Sequence, residues 1–118
     1  MFRAFALTDN VPLLTAWSND AEYAEVFAGQ LANHVEPGDV VIGISTSGES
    51  ENVLRALVLA REYGAVTVGF TGDHGGQLRD LVDWCVFVPS GHIGRQEDVH
   101  LALDHVITSA IKARLQHE

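Results

Sequence analysis

Short apolar segments alternate with longer segments in which apolar residues recur at helical spacing. The short segments predict strands at residues 2–7, 40–44, 65–70 and 84–88. The periodic segments predict helices at residues 21–34, 51–63, 77–82 and 96–115. Alternation with connections of this length indicates parallel βαβ units. We therefore expect an α/β fold, a doubly wound (Rossmann-like, flavodoxin-type) parallel sheet of about four strands flanked by helices.

Residues between these segments support the same division. Asp20 has the side chain of an N-cap for the first helix, and Pro37-Gly38 ends that helix. Gly64 follows the second helix, where a left-handed residue commonly ends the helical turn. In sheets of this kind, ligands bind outside the carboxyl ends of the strands. The loops after Ile44, Phe70 and Val88 are therefore candidates for a binding site.

The last predicted helix has two different sides. One side is apolar and reads as core, with Val99, Ala102, Leu103, Val106 and Ala110. The other side is polar, with Glu97, His100, Asp104 and His105. Such a polar side is commonly just a solvated face, and His100 is placed to pair with Asp104 four residues later.

Charge and cysteine content exclude several classes of function. The chain of 118 residues has 16 acidic and 7 basic residues and a formal net charge of −9. No basic stripe is visible, so we expect no nucleic-acid partner. The apolar stretches are far shorter than a bilayer requires, so we expect no membrane partner. Cys85 is the only cysteine, which excludes an intrachain disulfide and makes the cytoplasm the expected location.

The loop after the Val40–Ile44 segment carries the clearest chemical signal. It reads Ser45-Thr46-Ser47-Gly48-Glu49-Ser50 and leads directly into a helix. A helix N-terminus offers unpaired N–H groups and the positive end of its dipole, and Gly48 lets the backbone approach a ligand. Ser50 alone would suffice as a cap, so the remaining hydroxyls favour a site for a phosphate group without a lysine.

Several segments of the chain resemble one family. The run from Gly38 to Gly48 resembles the phosphosugar loop of the sugar isomerase (SIS) family, and within it the phosphoheptose isomerases. Those enzymes interconvert sedoheptulose 7-phosphate and a heptose 7-phosphate. The pair Asn19-Asp20, the glycines from Gly72 to Gly76, and the run from Glu97 to His105 resemble the same enzymes. The likeness implies one partial SIS fold over residues 1–118, truncated at its N-terminal side.

The resemblance also implies roles for individual residues. Two resemble residues that contact the sugar, and four resemble residues that hold the phosphate: Asn19 and Asp20, and Ser45, Thr46, Ser47 and Ser50. His105 resembles a histidine that acts as acid/base or metal ligand. Glu97 stands where these isomerases usually have a glutamine, and Gln96, directly before it, is the alternative for that role. Zinc, with Glu97 and His105 as ligands, is the implied cofactor, and no organic cofactor is expected.

The resemblance implies a missing part as well. Relatives of this type begin with a helix and a βα unit that carry a proton-transferring glutamate and a metal-binding histidine. This chain begins inside the following strand, and none of its residues matches that glutamate. Aldose–ketose isomerisation moves a proton between two carbons through an enediol and needs both an acid and a base. His105 would supply only one of them.

Three functions are compatible with these residues. The chain is part of an isomerase completed by another segment or subunit, a non-catalytic phosphosugar sensor, or a scaffold that resembles the SIS-type regulator of bacterial replication initiation. A sheet without its first strand exposes an edge and an apolar face. We therefore expect a homo-oligomer, a dimer or tetramer, or a complementing subunit, in addition to a phosphorylated sugar as ligand.

Overall fold

The computed structural model describes residues 3–117 and has an α/β architecture. Its strands are β1 (Val40–Ile44), β2 (Val66–Thr71) and β3 (Trp84–Phe87). Its α-helices are α1 (Val11–Asp20), α2 (Ala28–Leu31), α3 (Glu51–Glu62), α4 (Leu78–Leu81) and α5 (Ile93–Leu115), with a 3₁₀ turn at Tyr23–Glu25. Within the described residues, none of the helices is long and apolar enough to cross a membrane.

The three strands form one parallel sheet in the order β1-β2-β3. The expected α/β fold with a parallel sheet is therefore confirmed, with three strands rather than four. The strand predicted at residues 2–7 is the missing one. Phe2 lies outside the described residues, and residues 3–7 form no ladder. Instead, Leu7 accepts a side-chain hydrogen bond from Gln30, and Phe5 packs edge-on against His34.

Helices α3 and α4 cover one face of the sheet. Gly43 and Gly69 are register partners on β1 and β2, so both point to the same face. A Cβ on Gly43 would lie 2.7 Å from Leu57 of α3, and one on Gly69 would overlap Leu78 of α4. Two glycines at these positions thus let both helices approach the strands closely. A second cluster, centred on the fully buried Ala60, packs α2 against α3.

The opposite face of the sheet is largely open. The large apolar side chains that it exposes are Val40, Ile42, Ile44, Val66 and Trp84. Phe70 is the buried exception, at 3% exposure, and the His100 ring lies 5.9 Å from its ring centre. In the part of the chain that the structure describes, β1 pairs on one edge only, with β2. This open edge and face are where the sequence predicted exposed apolar surface.

The first third of the chain differs from the prediction. The helix predicted at 21–34 is interrupted, and α1 forms before it. Asn10 caps α1 by accepting the Leu13 N–H at 3.1 Å, and Pro12 stands at the start of the helix. Asp20 is consequently the last residue of a helix rather than an N-cap. Trp17 of α1 packs closely against Gly29, which explains why this side chain is only half-exposed.

An ion-pair cluster joins the 3₁₀ turn to α3. The Arg55 guanidinium contacts the carboxylates of Glu22, Glu25 and Glu51. Hydrogen bonds to these carboxylates raise the pKa of Arg55 further above its ordinary value. Glu22 and Glu25 therefore fasten the region before α2 to α3, and neither is a candidate for the absent base.

The last helix corrects two expectations. It begins at Ile93 rather than near Gln96, and its apolar side is not core. Val99 and Val106 are 42% and 63% exposed, and Ala102 and Ala110 are exposed as well. The buried residues of α5 are Gln96 and His100, which the helical pattern assigned to no core position. Since no described element covers the rest of α5, its apolar residues remain on the surface.

Replacing Leu57 with alanine tests the contact between α3 and the sheet. Leu57 is 1% exposed and lies against Gly43, so Leu57→Ala leaves a cavity that the backbone cannot fill. We expect a loss of about 2–5 kcal/mol in the free energy of unfolding, measured by urea denaturation. Val58→Ala, on the exposed side of the same helix at 43% exposure, should change it by about 0.5 kcal/mol or less. Equal losses in both variants would contradict this packing.

A second prediction concerns the acid sensitivity of the contact between Thr67, on β2, and Asp83, directly before β3. The N–H and hydroxyl of Thr67 donate to the Asp83 carboxylate at 2.8 and 3.0 Å, and these bonds lower the pKa of Asp83. Because the folded-state pKa lies below the unfolded one, the stabilisation is present above about pH 4 and disappears as the pH falls further.

The measurement is the free energy of unfolding against pH. Asp83→Asn should flatten its decline below about pH 4. Asp98→Asn is the control, because Asp98 is exposed on α5 and makes no side-chain hydrogen bond within the described chain. If Asp83→Asn follows the wild-type curve over the whole range, the Thr67 bonds do not contribute to acid stability.

Candidate functional site

Three hydroxyl groups converge in the loop between β1 and α3. Ser45 is 5% exposed, and its hydroxyl donates to the Ser50 hydroxyl at 2.9 Å and lies 3.4 Å from that of Ser47. The Ser45 oxygen also accepts the Gly48 N–H at 3.2 Å. Ser50 occupies the N-cap position of α3, yet its side chain makes no capping bond. Helix capping therefore does not account for the Ser50 hydroxyl, which leaves its proton available to a ligand.

Backbone N–H groups add to these hydroxyls. Among the described residues, none accepts a hydrogen bond from the N–H groups of Thr46, Ser47, Ser50, Glu51 or Asn52. The last two belong to the first turn of α3, where N–H groups have no partner in the helix. With the positive end of the α3 dipole, these donors are suited to an anion.

Residues 45–50, the hydroxyl loop, contact the loop that follows β2. The Gly72 N–H donates to the Thr46 carbonyl at 2.9 Å, and the Leu78 N–H donates to the Gly48 carbonyl at 3.1 Å. Gly48 has a φ of +68°, and a Cβ there would overlap the Gly75 carbonyl. Only glycine combines this conformation with such a close approach. The shape of the hydroxyl loop is therefore set by its contacts with the loop after β2 as well as by its own sequence.

The acidic residue of the hydroxyl loop, Glu49, bonds to Gln77 outside the loop. The Glu49 carboxylate accepts the backbone N–H of Gln77 at 2.9 Å and its side-chain amide at 2.6 Å. These bonds hold Glu49 against the start of α4. They remove an apparent objection to an anion site, because the carboxylate is occupied by donors from the neighbouring loop.

Within residues 3–117, no hydrogen bond joins the predicted sugar-contacting pair to the hydroxyl loop. Asn19 and Asp20 lie in the last turn of α1 and are exposed. The Asn19 side-chain amide donates to the Asp20 carboxylate at 3.4 Å, a long bond between neighbours. Their position is thus described, and their role in sugar binding stays a prediction.

Gln96 and Glu97 have different environments in the structure. Gln96 is 4% exposed, donates to the Ser90 carbonyl at 2.5 Å and packs against Gly72. Glu97 is exposed on the next position of α5. Of the two, Gln96 is the side chain directed at the loops that form the site. His100, one turn later, is also buried there, although the helical pattern places it on the polar side of the helix, next to Asp104.

Sequence reasoning missed the importance of Gln96 and His100. The available signal was their spacing, since residues four apart in a helix lie on the same side. It was outweighed by the apolar pattern of α5, which suggested that the opposite side was core.

Glu97 and His105 do not form a metal site by themselves. They lie eight residues apart on α5, roughly 12 Å along the helix axis. In residues 3–117, no group of three or more metal-binding side chains comes together. His105 is exposed, on the part of α5 that extends beyond His100. By themselves, the metal-binding side chains of the described residues are too few for a zinc ion, which needs three or four protein ligands.

Comparison with known proteins identifies the family of the chain. A family model described as SIS domain matches residues 1–72, which include the whole hydroxyl loop. The chain belongs to the SIS domain family. Residues 73–117 of this SIS chain lie outside that match, and they include α5 with His100 and His105.

Individual relatives cover nearly all of the SIS chain. It is 48% identical over 115 residues to the phosphoheptose isomerase of a Roseiflexus species, which covers 98% of this chain and 58% of the relative. It is 45% identical over 112 residues to that of Crocosphaera subtropica, covering 95% and 57%. The chain thus spans less than two thirds of the length of these relatives.

Solved structures agree with the sequence relatives. The phosphoheptose isomerase of Neisseria gonorrhoeae has a TM-score of 0.89 at 35% identity, covering 92% of this chain and 61% of that one. The enzyme of Francisella tularensis has a TM-score of 0.84 at 33% identity, covering 87% and 56%. The predicted family and fold are therefore confirmed.

The close approach at Gly48 yields a matched pair of variants. Gly48→Ala forces a side chain into a left-handed conformation and against the Gly75 carbonyl. Gly38 also has a positive φ, of +89°, but a Cβ there would meet nothing within 4 Å. We expect Gly38→Ala to lower the free energy of unfolding by about 1–2 kcal/mol, the cost of the backbone conformation alone.

Gly48→Ala should cost clearly more than Gly38→Ala, because the two loops must also separate. Urea denaturation of the two variants beside the wild type measures the difference. Similar losses in both would mean that the hydroxyl loop does not depend on its contact with Gly75.

Proposed function

We propose that this chain forms the phosphate-binding part of a phosphoheptose isomerase, which interconverts sedoheptulose 7-phosphate and a heptose 7-phosphate. The relatives named as phosphoheptose isomerases support this assignment. The observation that carries it is the hydroxyl loop at the N-terminus of α3, where the Ser50 side chain caps nothing. Because the chain spans only part of its relatives, the complete activity would require another segment or subunit.

The phosphate would be held by neutral donors. Thr46, Ser47 and Ser50 present hydroxyls, and the unpartnered N–H groups of the same loop add further bonds. The buried Ser45 hydroxyl would act through Ser50, whose oxygen it already contacts. Hydrogen bonds from such donors to a phosphate dianion are charge-assisted and stronger than neutral ones. Local donors of this kind offset the unfavourable long-range field of a chain with a net charge of −9.

The remaining groups would act on the sugar. Asn19, Asp20 and Glu97 would contact its hydroxyls, and His105 would transfer a proton between carbons of the enediol intermediate. His105 provides only one of the two acid/base groups, so the second must come from outside this chain. Zinc, implied by the resemblance, would need ligands in addition to Glu97 and His105. The proton transfer proposed for His105 does not depend on it.

We further propose that the protein functions as a cytoplasmic homo-oligomer, a dimer or tetramer, or with a complementing subunit. Support comes from the open apolar face, where Val40 and Trp84 are 62% and 69% exposed. Exposed apolar patches of this kind on a folded domain commonly mark an interface. The alternative function is a non-catalytic phosphosugar sensor, or a scaffold resembling the replication-initiation regulator. It is compatible with the described residues, among which His105 is the one acid/base group assigned to the enediol.

Ligand binding and turnover separate these functions. Thermal-shift titration with sedoheptulose 7-phosphate should stabilise the protein, and Ser50→Ala should weaken the affinity by roughly tenfold or more through loss of a charge-assisted bond. Ser18→Ala, on the exposed surface of α1, is the matched control and should bind normally. Ser50 makes no capping bond, but Ser50→Ala removes the acceptor of the buried Ser45 hydroxyl, so we expect a modest fall in unfolding temperature and compare the affinities well below it.

A coupled assay on the same sugar, with and without zinc, decides between enzyme and sensor. Turnover that His105→Ala abolishes while binding remains would support the isomerase. Binding without turnover, in the presence of any complementing segment, would support the sensor. Absence of binding by the wild type would refute the phosphate site and leave the scaffold.

A further inference from the structure

Helix α5 is attached to the rest of the molecule by polar side chains. Its buried residues are Gln96 and His100, at 4% and 5% exposure, while Leu101 and Val106 are 60% and 63% exposed. Burying a polar group is unfavourable unless it is hydrogen-bonded. A contact that buries two polar residues and leaves apolar ones in solvent therefore depends on specific bonds rather than on apolar area.

The bond made by His100 reaches the end of β2. Its Nε2 lies 3.0 Å from the Thr71 carbonyl oxygen, and its ring packs on Phe70. A carbonyl oxygen only accepts hydrogen bonds, so Nε2 carries the proton and donates. The other ring nitrogen, Nδ1, is buried and has no partner in the described part of the chain. His100 is thus held through one atom, and a substitution that keeps a donor at that atom keeps the bond.

The residue after Thr71 contacts both the hydroxyl loop and α5. Gly72 donates its N–H to the Thr46 carbonyl at 2.9 Å. A Cβ on Gly72 would lie 2.5 Å from the Gln96 side-chain nitrogen and 2.7 Å from the Thr46 oxygen. The end of β2 is therefore enclosed between the hydroxyl loop and α5. A continuous path runs from His100 through Thr71 and Gly72 to Thr46.

We propose that His100 is a positioning residue that fixes α5 relative to the hydroxyl loop. Its bond to Thr71 sets the direction in which the helix leaves the sheet, and with it the location of Glu97 and His105. It touches neither the phosphate nor the sugar itself. This inference rests on the proposed function, because it concerns how the sugar-side residues are held with respect to the phosphate site.

Two variants isolate the bond from the ring packing. His100→Phe keeps an aromatic ring against Phe70 but leaves the buried Thr71 carbonyl without its donor. His100→Gln places an amide N–H near the position of Nε2 and preserves the donor. A histidine that merely fills core space would be replaced better by phenylalanine. A positioning histidine would be replaced better by glutamine.

The first experiment needs no ligand. Amide hydrogen exchange of the purified protein should show roughly tenfold faster exchange in residues 96–106 of His100→Phe, and near wild-type rates in His100→Gln. Amides of β1 and β2 should keep their protection in both variants, which serves as the folding control. Unchanged exchange in α5 of His100→Phe, or greater disturbance in His100→Gln, would overturn the proposal.

The second experiment compares inorganic phosphate with sedoheptulose 7-phosphate. His100→Phe should weaken binding of the sugar phosphate by roughly tenfold and that of phosphate by less than about twofold, since only the sugar reaches α5. Equal weakening of both ligands, or of neither, would contradict a positioning role. If the wild type binds neither ligand, the proposed function fails, and the hydrogen-exchange result still decides whether His100 fastens α5.

Discussion

The candidate site depends on the contact between two loops at the carboxyl ends of β1 and β2. The carbonyl groups of Thr46 and Gly48 accept hydrogen bonds from N–H groups in the segment after β2. Gly48 also lies so close to Gly75 that no side chain fits between them. Parallel pairing of β1 with β2 brings these loops side by side. Without that contact, the loop would not hold the hydroxyls of Ser45 and Ser50 close together at the start of α3.

This construction explains how an acidic protein can offer a site to an anion. Long-range repulsion from a net charge of −9 is opposed by donors that act only at short distance. Glu49, the carboxylate within the loop, is held by Gln77 and does not compete for the Ser50 hydroxyl. Since the donors are hydroxyl and N–H groups, their strength comes from orientation, and orientation comes from the neighbouring loop.

The same neighbouring loop links the site to α5. Thr71 accepts the His100 bond, and Gly72 contacts both Gln96 and Thr46. Beyond His100, the helix has exposed apolar residues on one side and His105 among its exposed positions. Together with the open face of the sheet, this side of α5 is apolar surface that no described element covers. In the proposed function, this chain supplies the phosphate side of the site, and the second acid/base group comes from another segment or subunit.

The sequence alone determined the features that depend on local pattern. Uninterrupted apolar runs identified β1, β2 and β3 to within a residue or two, and Gly64 marked the end of α3. Ser45 to Ser50 stood out because hydroxyls, a glycine and a helix start occur in one short segment. The cap of α1 at Asn10 was present in the sequence as well, with Pro12, but its apolar periodicity was too weak to show the helix.

Tertiary structure decided what depends on distant partners. Residues 3–7 have strand-like side chains and form no strand, because a strand exists only when another supplies its hydrogen bonds. The side of α5 that packs was decided by where β2 ends, so that Gln96 and His100 were buried and Val106 was not. Periodicity reports which side of a helix is apolar. It cannot report whether anything lies there to cover it.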